Sequence, residues 1–189
     1  GGLDVLVNSA GTGLGGPVGS LPEPPPAEFL AQYDNPSDHM TPLSDETWHT
    51  VMGTNLASVF YTCRAVGPQM MERRQGKIIN VSSVNGILAY PFGAPYQTSK
   101  AGMNMLTKVL AMEWGTYNIN VNSIVPGWFF TPMTKDAFDI PEIRRKRTEG
   151  LPIKRLTDTR DLGLLAVYLA SSESDWMTGQ CIALDGGDR

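Results

Sequence analysis

Cysteine and histidine are scarce, two of each in 189 residues. Cys63 and Cys181 cannot build a disulfide framework and fall short of a structural zinc site, so no metal is expected. Basic residues are in the minority, 15 Lys and Arg against 19 Asp and Glu, for a formal net charge of −4. That balance speaks against nucleic acid and anionic membrane as partners, since both demand a basic face. No apolar run approaches the ~20 residues of a membrane span. No charged-then-apolar leader opens the chain, and the expectation is a cytoplasmic protein. There is no methionine at position 1 either: Gly1-Gly2 runs straight into Leu3-Asp4-Val5-Leu6-Val7, as if the chain began in mid-fold. With 41% apolar and 18% charged residues the composition is that of a folded protein. The length predicts one domain, burying roughly 70% of its unfolded surface.

What is present alternates between strands and helices. Leu3–Val7 is an apolar strand that ends in the turn-forming Asn8-Ser9-Ala10-Gly11. Residues 12–43 form a long Gly- and Pro-rich insert, with Pro22, Pro24, Pro25 and Pro26 opposing both helix and sheet. Ser44 caps a helix with Asp45 and Glu46 in its first turn. Its apolar residues recur at helical spacing, and it is expected to reach about Arg74 with a bend near Gly67-Pro68. Lys77–Ser82 is a second strand, Ala94–Trp114 a helix and Asn120–Val125 a third strand, stopped by Pro126-Gly127. Helical patches follow at about 133–149, divided at Pro141, and at about 158–171. Cys181–Asp185 is the last strand. This alternation predicts an α/β fold, a Rossmann-like, doubly wound parallel sheet with helices on both faces and right-handed crossovers. The ligand should lie beyond the strands' C-terminal ends, where Asn8–Gly11, Ser82–Gly86 and Pro126–Thr131 gather.

Three patterns bear on chemistry. Gly11-Thr12-Gly13-Leu14-Gly15-Gly16 matches G-x-G-x-x-G after a strand. The dinucleotide fingerprint must open directly into a helix, however, and here Pro17 and the proline cluster follow. A Gly-rich loop is the better account. Ser83 with His39 or His49 could suggest a hydrolase, but no G-x-S-x-G elbow surrounds Ser83. Tyr96-Gln97-Thr98-Ser99-Lys100 is more telling, because a phenol and an ammonium at i and i+4 share one helix face. A free phenol has a pKa of about 10. A nearby cation favours the phenolate, so such a tyrosine could exchange a proton with an alcohol or carbonyl near neutral pH.

Company sharpens that reading. Ser83 stands 13 residues before Tyr96, just past a strand end. Asn55 sits in mid-helix, where asparagine is a poor helix former. Tyr90, Phe92, Trp128, Phe129, Met133 and Phe138 could line an apolar substrate pocket or belong to the core. Arg144-Arg145-Lys146-Arg147 reads as a solvated helix face.

Taken together, Asn8-Ser9-Ala10-Gly11, Asn55, Ser83, Tyr96-x-x-x-Lys100, Pro126-Gly127 with Thr131, and Thr178-Gly179-Gln180 leading to Asp185-Gly186-Gly187 resemble the short-chain dehydrogenase/reductase family. The resemblance implies an NAD- or NADP-dependent oxidoreductase that interconverts a small secondary alcohol and a ketone. It makes Tyr96 the general acid/base and gives Lys100 the task of lowering its pKa and holding the nicotinamide ribose. Ser83 would orient the substrate oxygen, and Asn55 would anchor a water leading from Lys100 to solvent. Asn8, Ala10 and Gly11 would line the adenosine-side ribose; Pro126, Gly127, Phe129 and Thr131 would cradle the nicotinamide end. A homo-oligomer, tetramer or dimer, is implied, with the Tyr96 helix and the last strand at interfaces. The family's leading T-G-x-x-x-G-x-G turn is not among these residues, so the N-terminal part of the domain is expected to lie outside this chain. The alternative is a truncated, non-catalytic family member that cannot bind the dinucleotide; intact mass above that of 189 residues would discriminate.

Overall fold

The structure is a computed structural model that describes residues 2–13 and 43–188. The 12–43 insert, but for its ends, and the Gly-rich match beyond Gly13 lie outside the described residues. Among the described residues four strands, β1 (Val5–Asn8), β2 (Gly76–Val81), β3 (Ile119–Pro126) and β4 (Cys181–Leu184), form one parallel sheet in that order. Pairing of Asn8 with Asn80, Asn80 with Ser123 and Pro126 with Leu184 brings the C-terminal ends to one rim.

The helices are α1 (Asp45–Met52), α2 (Ser58–Arg73), α3 (Ala94–Trp114), α4 (Lys135–Phe138), α5 (Pro141–Gly150) and α6 (Thr159–Ala170). Period-two alternation decides which side each one covers. Ile78 and Val121 pack with Val59, Met70, Met103, Leu110 and Trp114, so α2 and α3 cover one face. Ile79 and Ile124 point the other way, to Leu162, Leu165 and Leu169 of α6.

Two expectations need correction. All strands are parallel and each lies beside its predecessor, yet α6 covers the face opposite α2 and α3. The β3–β4 crossover therefore has the opposite hand to the first two, and the three cannot all be right-handed. The long connection through α4 and α5 carries the chain around the rim to the other face. The single helix expected from Ser44 to about Arg74 is likewise divided, though not at Gly67-Pro68: α2 runs through Pro68 and stops at Arg74, in left-handed conformation (φ 53°). Gly67 is small for packing, since a Cβ there would come within 2.7 Å of the Trp114 ring. The irregularity lies at Gly53–Ala57, a π-helical segment between α1 and α2.

Candidate active site

That π segment explains the mid-helix asparagine. Asn55 is fully buried; its Oδ1 accepts from Thr12 N at 2.8 Å, and its Nδ2 donates to Thr12 O at 2.9 Å and Ser99 Oγ at 3.0 Å. Ser99 Oγ donates in turn to Tyr96 O at 2.7 Å. The amide thus ties the loop after β1 to the first turn of α3. π-helical turns recur at functional sites because they redirect one side chain without ending the helix.

Tyr96 and Lys100 share a face of α3, with Nζ 5.7 Å from the phenol ring centroid. Lys100 is 4% exposed, and its Nζ donates to Val81 O at 2.9 Å. Burial lowers its pKa from 10.5 to about 8. Burial pushes the Tyr96 phenol above the ordinary phenol range, and a hydrogen bond with Ser83 pulls it part of the way back. The group that lowers the phenol is therefore Ser83, whereas the sequence pointed to Lys100. The ammonium lies over the ring face, and its hydrogen bond is made to Val81, which accounts for the difference. Ser83 caps the short 3-10 turn Val84–Gly86, accepting from Asn85 N at 3.2 Å.

Glycines let backbones close around these groups. A Cβ on Gly11 would lie 3.4 Å from Lys100 Nζ and 3.5 Å from Asn55 Oδ1. One on Gly86 would meet the Lys100 backbone at 2.8 Å, and one on Gly127 would meet Asp185 Cα at 2.7 Å. A cavity of about 280 Å³ opens beside Tyr96, lined by Gly13, Asn85, Gly127, Trp128, Met133 and Thr134.

The structure thus brings together Asn55, Ser83, Tyr96, Lys100, Gly11 and Gly127, with Pro126 ending β3 immediately before Gly127. It does not bring in every expected contact. The Asn8 side chain turns into the sheet, where Nδ2 donates to Asn80 Oδ1 (2.9 Å) and Oδ1 accepts from Thr62 Oγ1 (2.7 Å). Ala10 is exposed at the rim. Phe129 and Phe138 are core residues. Thr131 is held by Thr134, whose Oγ1 accepts from Thr131 N and donates to Phe129 O. Of the aromatic candidates Trp128 alone lines the Tyr96 cavity. Sequence reasoning missed Ser99 and Thr12, both partners of Asn55: each is an intervening position of a motif, and its contact is with a residue some 44 positions away.

A parallel sheet with a Gly-framed tyrosine and lysine beyond its C-terminal rim defines a Rossmann-like domain. The profile of the enoyl-(acyl carrier protein) reductase family matches residues 1–188. The chain belongs to the short-chain dehydrogenase/reductase family. It is 37% identical over 145 residues to 3-oxoacyl-[acyl-carrier-protein] reductase FabG of Chlamydia muridarum, covering 77% of this chain and 58% of that one. It is 35% identical over 188 residues to 3beta-hydroxysteroid dehydrogenase 1 of Eggerthella lenta, covering 99% and 64%. Among solved structures, gluconate 5-dehydrogenase of Burkholderia cenocepacia in complex with NADP and tartrate superposes with a TM-score of 0.83 at 32% identity, covering 100% of this chain and 65% of that one. The chain spans about three fifths of the length of the curated relatives it matches.

Proposed function

We propose that this chain carries the catalytic domain of an NAD- or NADP-dependent oxidoreductase that interconverts a secondary alcohol and a ketone. The observation that carries the reading is a half-buried phenol beside a cavity, with one hydroxyl bonded to it and one ammonium over its ring. In reduction Tyr96 donates its proton to the carbonyl oxygen of the substrate; in oxidation it takes the hydroxyl proton. Ser83 hydrogen-bonds the same oxygen and fixes its direction.

The residues fit the nicotinamide half of a dinucleotide. Lys100 Nζ can donate three hydrogen bonds, and the one to Val81 O leaves capacity for a ribose hydroxyl. The absence of a side chain on Gly11 keeps the approach to Nζ open. When bound, the nicotinamide supplies or accepts the hydride. Ala10 and Gly11 frame the adenosine side through their backbone, with Asn8 holding their strand. Pro126, Gly127 and Thr131 frame the nicotinamide end, while Phe129 anchors that loop in the core. Asn55 braces the Thr12 loop against α3 through its side-chain amide, alongside the water-anchoring role the family resemblance implies.

The relatives act on oxoacyl, hydroxysteroid and gluconate compounds by name, which supports a small-molecule alcohol or ketone without selecting one. A single cytoplasmic domain that forms a homo-oligomer completes the reading. Absorbance of the reduced nicotinamide, followed with the complete polypeptide, NADH or NADPH and a panel of alcohols and ketones, tests it. Turnover of at least one pair is expected. The absence of both dinucleotide binding and turnover on every pair would overturn the proposal.

A further inference from the structure

Trp128 belongs to two cavities at once. On one side it lines the Tyr96 cavity of about 280 Å³. On the other it lines a larger one of about 380 Å³, with Leu151, Ile153, Leu164 and Leu184 on its apolar side and Arg155, Asp161 and Asp185 on its charged side. Nothing in the chemistry above uses the second cavity.

The indole that divides them is held by partners on three segments. The Arg147 guanidinium of α5 lies over its ring at 4.3 Å from the centroid. Phe138 of α4 meets it edge-on, centroids 6.1 Å apart. Asp188, beyond β4, accepts a hydrogen bond from it. A ring clamped by a cation, an aromatic edge and a carboxylate is a wall, not a swinging gate.

We propose that Trp128 is a fixed partition that sets the length of the substrate: a short alcohol or ketone is confined to the Tyr96 side, and the apolar space behind the indole is what a longer chain lacks. This rests on the oxidoreductase reading above. At about 30 Å³ per water-sized group, the first cavity holds roughly nine such groups. Removing the indole joins the two and more than doubles the space. The leucine and isoleucine side of the second cavity can take up alkyl groups, each buried methylene adding roughly fourfold in affinity.

The test uses the complete polypeptide and linear methyl ketones from 2-butanone to 2-decanone, with NADH or NADPH. In the wild type kcat/KM falls with length. In Trp128→Ala the ratio of 2-decanone to 2-butanone rises at least tenfold, and Arg147→Ala, which frees the wall, shifts it the same way by less. Calorimetric titration with the same ketones reads the length limit as Kd, apart from turnover. A length-selective Kd without turnover would sink the oxidoreductase reading and leave the partition standing. An unchanged ratio in folded Trp128→Ala, or a wild type that accepts 2-decanone as readily as 2-butanone, overturns the partition. Circular dichroism verifies folding; should the alanine variant not fold, Trp128→Leu and Arg147→Ala decide the question.

Discussion

At Lys100 burial and charge pull against each other. Unfolded, its ammonium titrates near 10.5; folded, near 8. Below pH 8 both states are charged and the fold carries the full desolvation cost, about 3 kcal/mol at 1.36 kcal/mol per pKa unit. Between pH 8 and 10.5 the unfolded chain holds the extra proton, so stability climbs with pH, and above 10.5 the cost is gone. Lys100→Met should therefore raise stability at pH 7 by about 2 kcal/mol once the lost Val81 hydrogen bond is subtracted. The gain should shrink towards pH 10 in urea titrations at both pH values. A less stable variant at pH 7 would contradict this. That Tyr96 and Lys100 share a helix face was legible from their four-residue spacing. That the ammonium would lie over the ring and be desolvated was not, because burial depends on β2 and the Gly11 loop, remote in sequence.

Among the elements, the helical run from Asp45 to Arg73 shows how local signals mislead and inform together. Gly67-Pro68 suggested a bend, but the tertiary demand of the Trp114 ring explains that glycine. Asn55 was conspicuous because a helix interior disfavours it, and the π segment is the reason it is tolerated. Asn55→Ala would strand Thr12 N, Thr12 O and Ser99 Oγ without their partner. A loss of about 3 kcal/mol is expected from the buried polar groups left unpaired, read as a lower urea midpoint. KM for the dinucleotide should rise as the Gly11 loop loosens. An unchanged midpoint and KM would show that the brace does not matter. The apolar periodicity of α3 was also only half informative. Met103, Leu106 and Leu110 face the core, whereas Met105 faces out, a division that spacing alone left open.

Viewed as a whole, the molecule keeps apolar surface that its own core does not use. Met105, Val109 and Met112 form a stripe at i, i+4 and i+7 along α3, Met112 being 85% exposed. Phe60 and Tyr61 stand out on α2, and Leu164, Val167 and Tyr168 on α6. Such patches mark contact surfaces, in keeping with the proposed homo-oligomer. Light scattering should give a mass of at least two chains, and Met112→Glu with Val109→Asp should lower it. A monomeric wild type would count against assembly. No helix among the described residues is long and apolar enough to cross a membrane. A parallel sheet with helices on both faces followed from the β/α alternation in the sequence; which face each helix covers did not. The reversed hand of the last crossover did not, because local periodicity carries no record of which side a long connection takes.

The proposed catalysis turns on a single transferable proton. Ketone reduction by wild type and Tyr96→Phe, with dinucleotide Kd measured on both, tests it most directly. The phenylalanine variant should lose on the order of 10²- to 10⁴-fold in kcat, with Kd changed little and the melting temperature close to the original. A variant that keeps most of its turnover would mean that some other group delivers the proton, and the site described here would need a different chemistry.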